Sequence, residues 1–358
     1  MTKLKKEETV LTELSKLPSE LSDIYAKIYE QMSESDAFET ATKALRFLAC
    51  IQKPLGIGPF LAAVCPQNPI DSEALLDYCS NLILEDKSVG TFRFAHLSVR
   101  EYLEGKRTDY TLVDTHAVAA EICLACISKR RPGTRGTTAG QKSERSPDAM
   151  HEYATIFWPV HCQLSGEKRT SSQLASLISS FIMQRRVGLA FSKWMEDVRD
   201  LTESLKAEVP LRKKLRHCLC SPPNPFFLGC AFGLSEVVQH SDMSLTARSE
   251  SCLSGLHLAS IYGHDQVVRI LLGRGADADS KDTYGRTPLF YATENGHLSV
   301  VEVLLEQGKD IKISSEILML GAWAWQRGKQ STGIMELLLR KDGEIHISDD
   351  VLLAALSK

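Results

Sequence analysis

Apolar positions recur at helical spacing over most of the chain. Leu21, Ile24, Tyr25, Ile28 and Met32 fall at i, i+3, i+4, i+7 and i+11, which predicts the buried face of a helix started by Pro18. Ala41, Ala44, Leu45, Leu48 and Ile51 mark the inner face of a second helix, from Ser35 to about Ile51. The break Pro54-Leu55-Gly56-Ile57-Gly58-Pro59 leads into a short apolar helix over Phe60–Val64. Another helix, capped by Asp71 or Ser72, runs to about Ser80. Leu82–Leu84 and Thr91–Phe94 read as two short strands around a turn from Asp86 to Gly90. A helix then restarts in Phe94-Ala95-His96-Leu97-Ser98-Val99-Arg100-Glu101-Tyr102-Leu103, where Ser98 and Glu101 have capping-box spacing. Val118, Ile122, Ala125 and Cys126 predict one later helix face, and Tyr153, Ile156, Phe157 and Val160 another.

The C-terminal third repeats itself. Leu256–Asp277 laid over Leu289–Asp310, an offset of 33, matches at ten of 22 positions, including Gly263/Gly296 and His264/His297. This period and content resemble the ankyrin repeat. Ser254 and Thr287 are placed to N-cap a first helix, and Pro288 stands at N1, where its missing N–H costs nothing. Gly263 and Gly296 end that helix, Val267, Val268, Leu271 and Leu272 stripe a second one, and Gly275 and Gly308 close it. Ser254-Gly255-Leu256-His257 and Thr287-Pro288-Leu289-Phe290 both depart from Thr-Pro-Leu-His, so the threonine–histidine pairing is expected to be incomplete and local stability modest. His264 and His297 occupy positions that ankyrin repeats use for hydrogen bonds between units. Upstream, Asn224–Val238 fits the frame as a degenerate first unit. Downstream, Ile313–Leu318 recurs as Ile347–Leu352, with Ile334–Leu339 as an inner helix. The apolar run Val351–Leu356 is unlike a capping helix, so the chain is expected to be a fragment of a longer protein.

The N-terminal order of three helices and a two-stranded wing is that of a winged helix. It resembles, over roughly Leu14–Leu103, the module that follows the NACHT nucleotide-binding domain in fungal STAND proteins, which are NLR-like signalling ATPases. The Phe94–Leu103 run is its most specific part, and Trp158-Pro159-Val160-His161 resembles a helical segment found after such modules. The resemblance implies that the winged helix holds a nucleotide-binding domain inactive while the solenoid senses a partner. The expected fold is mainly α. Residues 1–20 form an N-terminal linker, 21–110 the winged-helix module, and 111–220 a helical linker region with a flexible basic loop at 129–147. Residues 221–358 form the ankyrin-type solenoid, with units at 224–253, 254–286 and 287–312 and divergent repeats over 313–358.

Composition narrows the chemistry. The 358 residues carry 42 Lys and Arg against 45 Asp and Glu, a net charge of −3, which disfavours a nucleic-acid polycation. No run of about 18 apolar residues suits a membrane span, and no apolar h-region follows the basic start. Ten scattered cysteines read as reduced thiols of a cytoplasmic protein. Gly105-Lys106-Arg107-Thr108 and Gly140-Gln141-Lys142-Ser143 both fail the Walker A pattern, and no Gly-x-Ser-x-Gly elbow supports the deacylase label sometimes given to this winged helix. Cys123-x-x-Cys126 reads as structural thiols. His217-Cys218-Leu219-Cys220 with Cys230 lacks a second ligand pair for zinc, and His96, Ser98 and Glu101 cannot form a triad from one helix start.

No catalytic, cofactor or metal residues are therefore assigned, and the chain reads as a non-enzymatic interaction protein. Its alternative is a DNA-binding or transcription-associated regulator acting through the winged helix or the basic loop. The Asp71–Ser80 helix argues against that, with three acids and no base. The expected partner is a protein in the ankyrin groove, bound by Ile261, Tyr262, Thr283, Tyr284, Arg286, Glu294 and Asn295, together with a NACHT domain if the parent chain is longer.

Overall fold

The computed structural model describes residues 19–129, 149–171, 173–182, 189–204, 209–308, 311–326 and 332–341. The chain divides between Ile178 and Ser179 into two units. Apart from Lys129, the basic loop lies outside the described residues, as does the repeat expected beyond Lys341.

The first unit begins with α1 (Ser19–Ser33) and α2 (Phe38–Cys50). Tyr29 and Met32 are the buried side chains of α1, whereas Ile24 is 51% exposed, so the face is rotated from the expected one. On α2 the core residues are Ala41, Ala44, Leu45, Phe47 and Cys50, while Leu48 is half-buried. Phe47 missed by pattern is the centre of an aromatic row: it stacks on Phe60 at 5.4 Å and meets Tyr153 edge-on at 5.9 Å, and Phe60 contacts Phe92 at 5.3 Å. That row joins α2, α3 (Ile57–Val64), the second strand and a later helix.

α4 (Ser72–Tyr78) starts at Asp71, whose carboxylate accepts the Ala74 N–H at 2.8 Å. β1 (Ile83–Asp86) and β2 (Thr91–Phe94) pair antiparallel with Ile83 opposite Phe94 and Asp86 opposite Thr91. Asp86 turns the chain by accepting from the Ser88 N–H at 3.0 Å, and Gly90 supplies a positive φ of 70°. Gly56 bridges Thr91 on the other edge of the hairpin.

α5 (Leu97–Lys106) starts on His96, not on a Ser98–Glu101 capping box. The imidazole Nδ1 accepts the Ser98 N–H at 3.2 Å, and Ser98 Oγ lies 2.7 Å from that nitrogen and 2.8 Å from the Tyr25 hydroxyl. Ser98 is thereby committed to tying α5 to α1 and is buried. A short 3-10 turn, Thr108–Tyr110, places Asp109 against Arg46 at 2.9 Å and Arg107 at 3.3 Å.

α6 (Leu112–Lys129) and α7 (Ala149–Leu164) pack on each other, and α6 also packs on α2. α6 is enclosed by Ala119, Ala120, Ile122, Cys123, Leu124 and Ile127, so Val118, Ala125 and Cys126 lie at the margin of its face. Ala119 and Ala120, both fully buried, give α6 a small-side-chain surface. α7 buries Tyr153 to Pro159 almost continuously and accommodates Pro159 within the helix. α8 (Lys168–Ser171) and α9 (Gln173–Ile182) follow.

The second unit takes in the end of α9, then α10 (Leu189–Ser204), which buries Phe191 and Trp194, and α11 (Val209–His217). Four helix pairs follow: α12 (Phe226–Phe232) with α13 (Ser235–Gln239), α14 (Gly255–Tyr262) with α15 (Asp265–Gly273), α16 (Pro288–Glu294) with α17 (Leu298–Gln307), and α18 (Ser315–Gln326) with α19 (Thr332–Lys341). First helices stack on first helices and second on second along the row. Ser254 and Thr287 cap α14 and α16 through the N–H groups of His257 and Phe290. Gly263 ends α14 at a φ of 78°. Gly308 closes α17 at a φ of −71°, and its constraint is space, because a Cβ there would collide with the Ile311 side chain.

Repeated hydrogen bonds join successive pairs. His264 Nε2 donates to the Ala231 carbonyl at 2.8 Å, and His297 Nε2 donates to that of Ile261 at 3.0 Å. Arg274 reaches the Val238 and Ser241 carbonyls at 2.7 and 2.9 Å, and Lys341 Nζ reaches Leu305 at 2.6 Å. The supposedly incomplete threonine–histidine pairing is made in the first copy by serine. Ser254 Oγ is 2.6 Å from His257 Nδ1, and His257 Nε2 donates to the Arg286 carbonyl at 3.1 Å. In the second copy Phe290 has no nitrogen to offer and packs edge-on to Tyr291 at 5.6 Å instead.

Candidate functional site

The hairpin that enters α16 is built around the Asp282 side chain. Its turn closes through Gly285 N–H to Asp282 C=O at 3.1 Å and Asp282 N–H to Arg286 C=O at 3.0 Å. The Asp282 side chain is only 2% exposed. Its Oδ1 accepts the N–H groups of Tyr284 and Arg286 at 2.8 and 2.9 Å, and its Oδ2 accepts the Tyr291 hydroxyl at 2.6 Å. Burial alone would raise the carboxyl's pKa. The Tyr291 hydroxyl, the two N–H groups and Arg286 overcome that and hold it below the ordinary carboxylate value. Arg286 Nε lies 3.4 Å from Asp282, while its guanidinium lies over the rings of Tyr284, Tyr291 and Phe290 at 4.6, 5.1 and 5.7 Å.

This arrangement fixes the tip and leaves one large side chain outside it. Tyr284 is 79% exposed. Thr283, Glu294 and Asn295 are also exposed, with Asn295 Nδ2 donating to the Tyr291 carbonyl at 2.8 Å. Arg286 is half-buried and shapes the tip from within.

Two of the expected partner-binding residues also make contacts within the chain. Tyr262 is half-buried, and its hydroxyl is hydrogen-bonded with His217 Nδ1 at 3.0 Å. Lys214 Nζ lies 4.8 Å from the Tyr262 ring and 4.2 Å from that of Phe232. Burial draws Lys214 down to about 8 and His217 down to about 4, with Lys213 and Arg216 adding to the effect on His217. Tyr262 thus anchors α14 to α11, a role invisible in a 33-residue frame because α11 precedes the repeats. Ile261 is half-buried, and its carbonyl receives His297.

The other chemical candidates fall into place by geometry. His217 is taken by Tyr262, and the Cys218 and Cys220 thiols face the carbonyls of Lys214 and Asn224 at 3.2 and 3.6 Å, so these groups do not converge. The cysteines are all free thiols, and burial pushes Cys123 far above its ordinary value. On α4, the acids Asp71, Glu73 and Asp77 all face solvent. Among the described residues no helix is long and apolar enough to cross a membrane.

One convergence had no sequence signal. Cys50, His116 and His161, 66 and 45 residues apart, bring one ligand-type atom each within 4.8 Å of the others in the first unit's core. Only the contact of α6 and α7 with the end of α2 brings them together, and no spacing motif could have found them.

Residues 228–315 match the family model for ankyrin repeats, in three copies. The chain is similar to the ankyrin repeat protein nuc-2 of Neurospora crassa, 46% identical over 205 residues, which cover 52% of this chain and 18% of that protein. It is 34% identical over 96 residues to the B-cell lymphoma 3 protein homolog of Mus musculus, covering 26% of this chain and 21% of the relative. A transient receptor potential cation channel subfamily A member 1 homolog of Caenorhabditis elegans is 39% identical over 72 residues, 20% of this chain and 6% of the channel. The chain therefore spans about a fifth or less of the length of these relatives, and residues 228–315 within its second unit are ankyrin repeats.

Proposed function

We propose that the chain is a non-enzymatic protein-interaction module whose ankyrin stack binds a protein partner through the hairpin tip at Tyr284, together with the exposed Thr283, Glu294 and Asn295. The observation that carries this reading is a large aromatic side chain 79% exposed on a turn whose backbone is pinned by the buried Asp282. A rigid exposed tyrosine contributes contact area at little entropic cost, which suits an interface anchor. The decisive comparison is a pull-down with the intact chain and its Tyr284→Ala variant. Partner recovery should fall at least tenfold in the variant, and unchanged recovery would remove the tip from the interface.

The same reading takes the helices and hairpin of residues 21–110 as a winged helix of STAND type, acting as a packing element in a cytoplasmic signalling protein. Supporting it, Ile24 on α1 and Leu97 on α5 are 51% and 66% exposed on two helices that pack together, leaving apolar surface for a neighbouring domain. A partner that prefers the released form of such an assembly would shift its equilibrium by its differential affinity. A recombinant nucleotide-binding domain should bind the chain and lose affinity for an Ile24→Asp/Leu97→Asp variant. ATP turnover by the chain alone, abolished by one point mutation, would contradict the non-enzymatic assignment. DNA binding is disfavoured by the solvent-facing acids of α4.

A further inference from the structure

In the core of the first unit three soft-donor side chains from three helices meet, all of them buried. Cys50 ends α2, His116 lies in the first turns of α6, and His161 lies in the last turns of α7; they are 6%, 2% and 0% exposed. His116 Nδ1 and His161 Nδ1 face each other at 2.7 Å. The far side of the His161 ring is held: its Nε2 is 2.8 Å from the Tyr153 hydroxyl oxygen, which also accepts the Gln52 N–H at 3.0 Å. An Nε2–H donated to that oxygen leaves the Nδ1 lone pair aimed at His116, the orienting arrangement that ligating histidines ordinarily have. The Cys50 thiol points at the carbonyl of Thr115, the residue next to His116, at 3.3 Å.

We propose that Cys50 Sγ, His116 Nδ1 and His161 Nδ1 form a buried three-coordinate site for a soft monovalent d10 cation, Cu(I). The donor set selects the class, because thiolate and imidazole are soft or borderline ligands. Charge selects the ion. Binding replaces the Cys50 proton, Cys–SH and Cu(I) giving Cys–S–Cu and a proton released to solvent, with no change of oxidation state. The resulting thiolate–Cu(I) unit is neutral, as a dry core demands. Zn(II) on the same ligands would leave one positive charge there, and no carboxylate among the described residues joins the cluster to cancel it. Zinc in structural sites also takes four ligands, whereas three converge here. Two nitrogens bound trigonally to one ion stand ~3.5 Å apart, so the imidazoles separate by less than an ångström on binding. Two further buried thiols, Cys123 and Cys162, lie on α6 and α7, the helices that carry the two histidines.

The test uses the full chain, stripped with a chelator and titrated anaerobically with Cu(I) against bicinchoninate. One equivalent should bind, with X-ray absorption at the copper edge reporting one sulfur and two nitrogen scatterers. Cys50→Ser and His161→Gln should each weaken binding at least 100-fold, while Cys252→Ser, which changes an exposed thiol, should leave it unchanged. All-sulfur coordination, affinity unaltered in Cys50→Ser, or a preference for one equivalent of Zn(II) would each overturn the site. Absence of any bound equivalent would assign the close His116–His161 contact to a metal-free hydrogen bond. The absorption measurement on the unmodified chain decides the matter even where a variant fails to fold.

Discussion

A Cβ on Gly233 would lie 2.7 Å from Nδ1 of His264, and one on Gly263 would lie 2.6 Å from Nδ1 of His297. Each turn glycine is thus the floor on which the next unit's histidine rests, with the same imidazole donating its Nε2–H to a carbonyl within two residues of that glycine. Glycine is needed there twice over, for a positive φ and for the space a histidine ring occupies.

Gly263→Ala therefore combines backbone strain with a clash and should cost roughly 3 kcal/mol. Gly285 has the same φ of 78° but nothing within 4 Å of its would-be Cβ, so Gly285→Ala should cost about 1 kcal/mol. Urea unfolding of both variants checks the difference. Equal losses would show that the histidine yields freely.

The hairpin tip separates stability from recognition. Asp282→Ala strands two N–H groups, the Tyr291 hydroxyl and Arg286 at an enclosed site, and should cost roughly 2–3 kcal/mol. Tyr284→Ala removes an exposed side chain and should change stability by less than about 0.5 kcal/mol. Thermal unfolding of the two variants gives the comparison, and a Tyr284→Ala loss as large as that of Asp282→Ala would mean the tyrosine is structural.

At the start of α5, Ser98→Ala breaks the part-buried link from His96 to Tyr25 and should destabilise the first unit by about 1–2 kcal/mol. Glu101→Ala should stay within about 0.5 kcal/mol, because His96 and not a capping box starts the helix. Chemical denaturation measures both. The opposite ranking would restore the capping box.

His217 gives the second unit an acid sensitivity of defined sign. Its folded pKa is lowered from 6.5 to about 4, chiefly by burial, so between those values the unfolded chain binds more protons than the folded one. Its contribution is complete above pH 6.5 and declines as the pH falls toward 4. The urea midpoint should drop between pH 7 and pH 4.5, with a shallower drop in His217→Gln. Identical slopes in the two proteins would mean that the imidazole is protonated in place.

The repeats were legible because their chemistry is local. Ser254, Thr287, Pro288 and Gly263 each act within one turn of their own position, and a 33-residue offset brings their counterparts into view. The first unit's elements were legible for the same reason, down to the Asp71 cap. What sequence periodicity missed depends on partners distant in the chain. Ile24 has helical spacing yet faces outward, while Tyr29 turns inward because Phe38, Tyr110 and Arg107 surround it. Tyr262 looked free within its repeat and is held by His217, 45 residues earlier. Serine in place of threonine at Ser254 suggested a lost interaction, although the hydroxyl alone carries that bond to His257.

The backward reach of His264, Arg274, His297 and Lys341 gives the stack a direction. Each carries a donor that closes on a carbonyl of the preceding pair, His257 being the counterexample that reaches forward to Arg286. Peeling a pair from the C-terminal end uncovers mainly carbonyl oxygens, which water solvates readily. Peeling one from the N-terminal end instead uncovers imidazole, guanidinium and ammonium donors, which turn to solvent. Each described pair thus carries the donors that tie it to the pair before, so removing those donors loosens a pair from its predecessor and leaves its grip on the pair that follows.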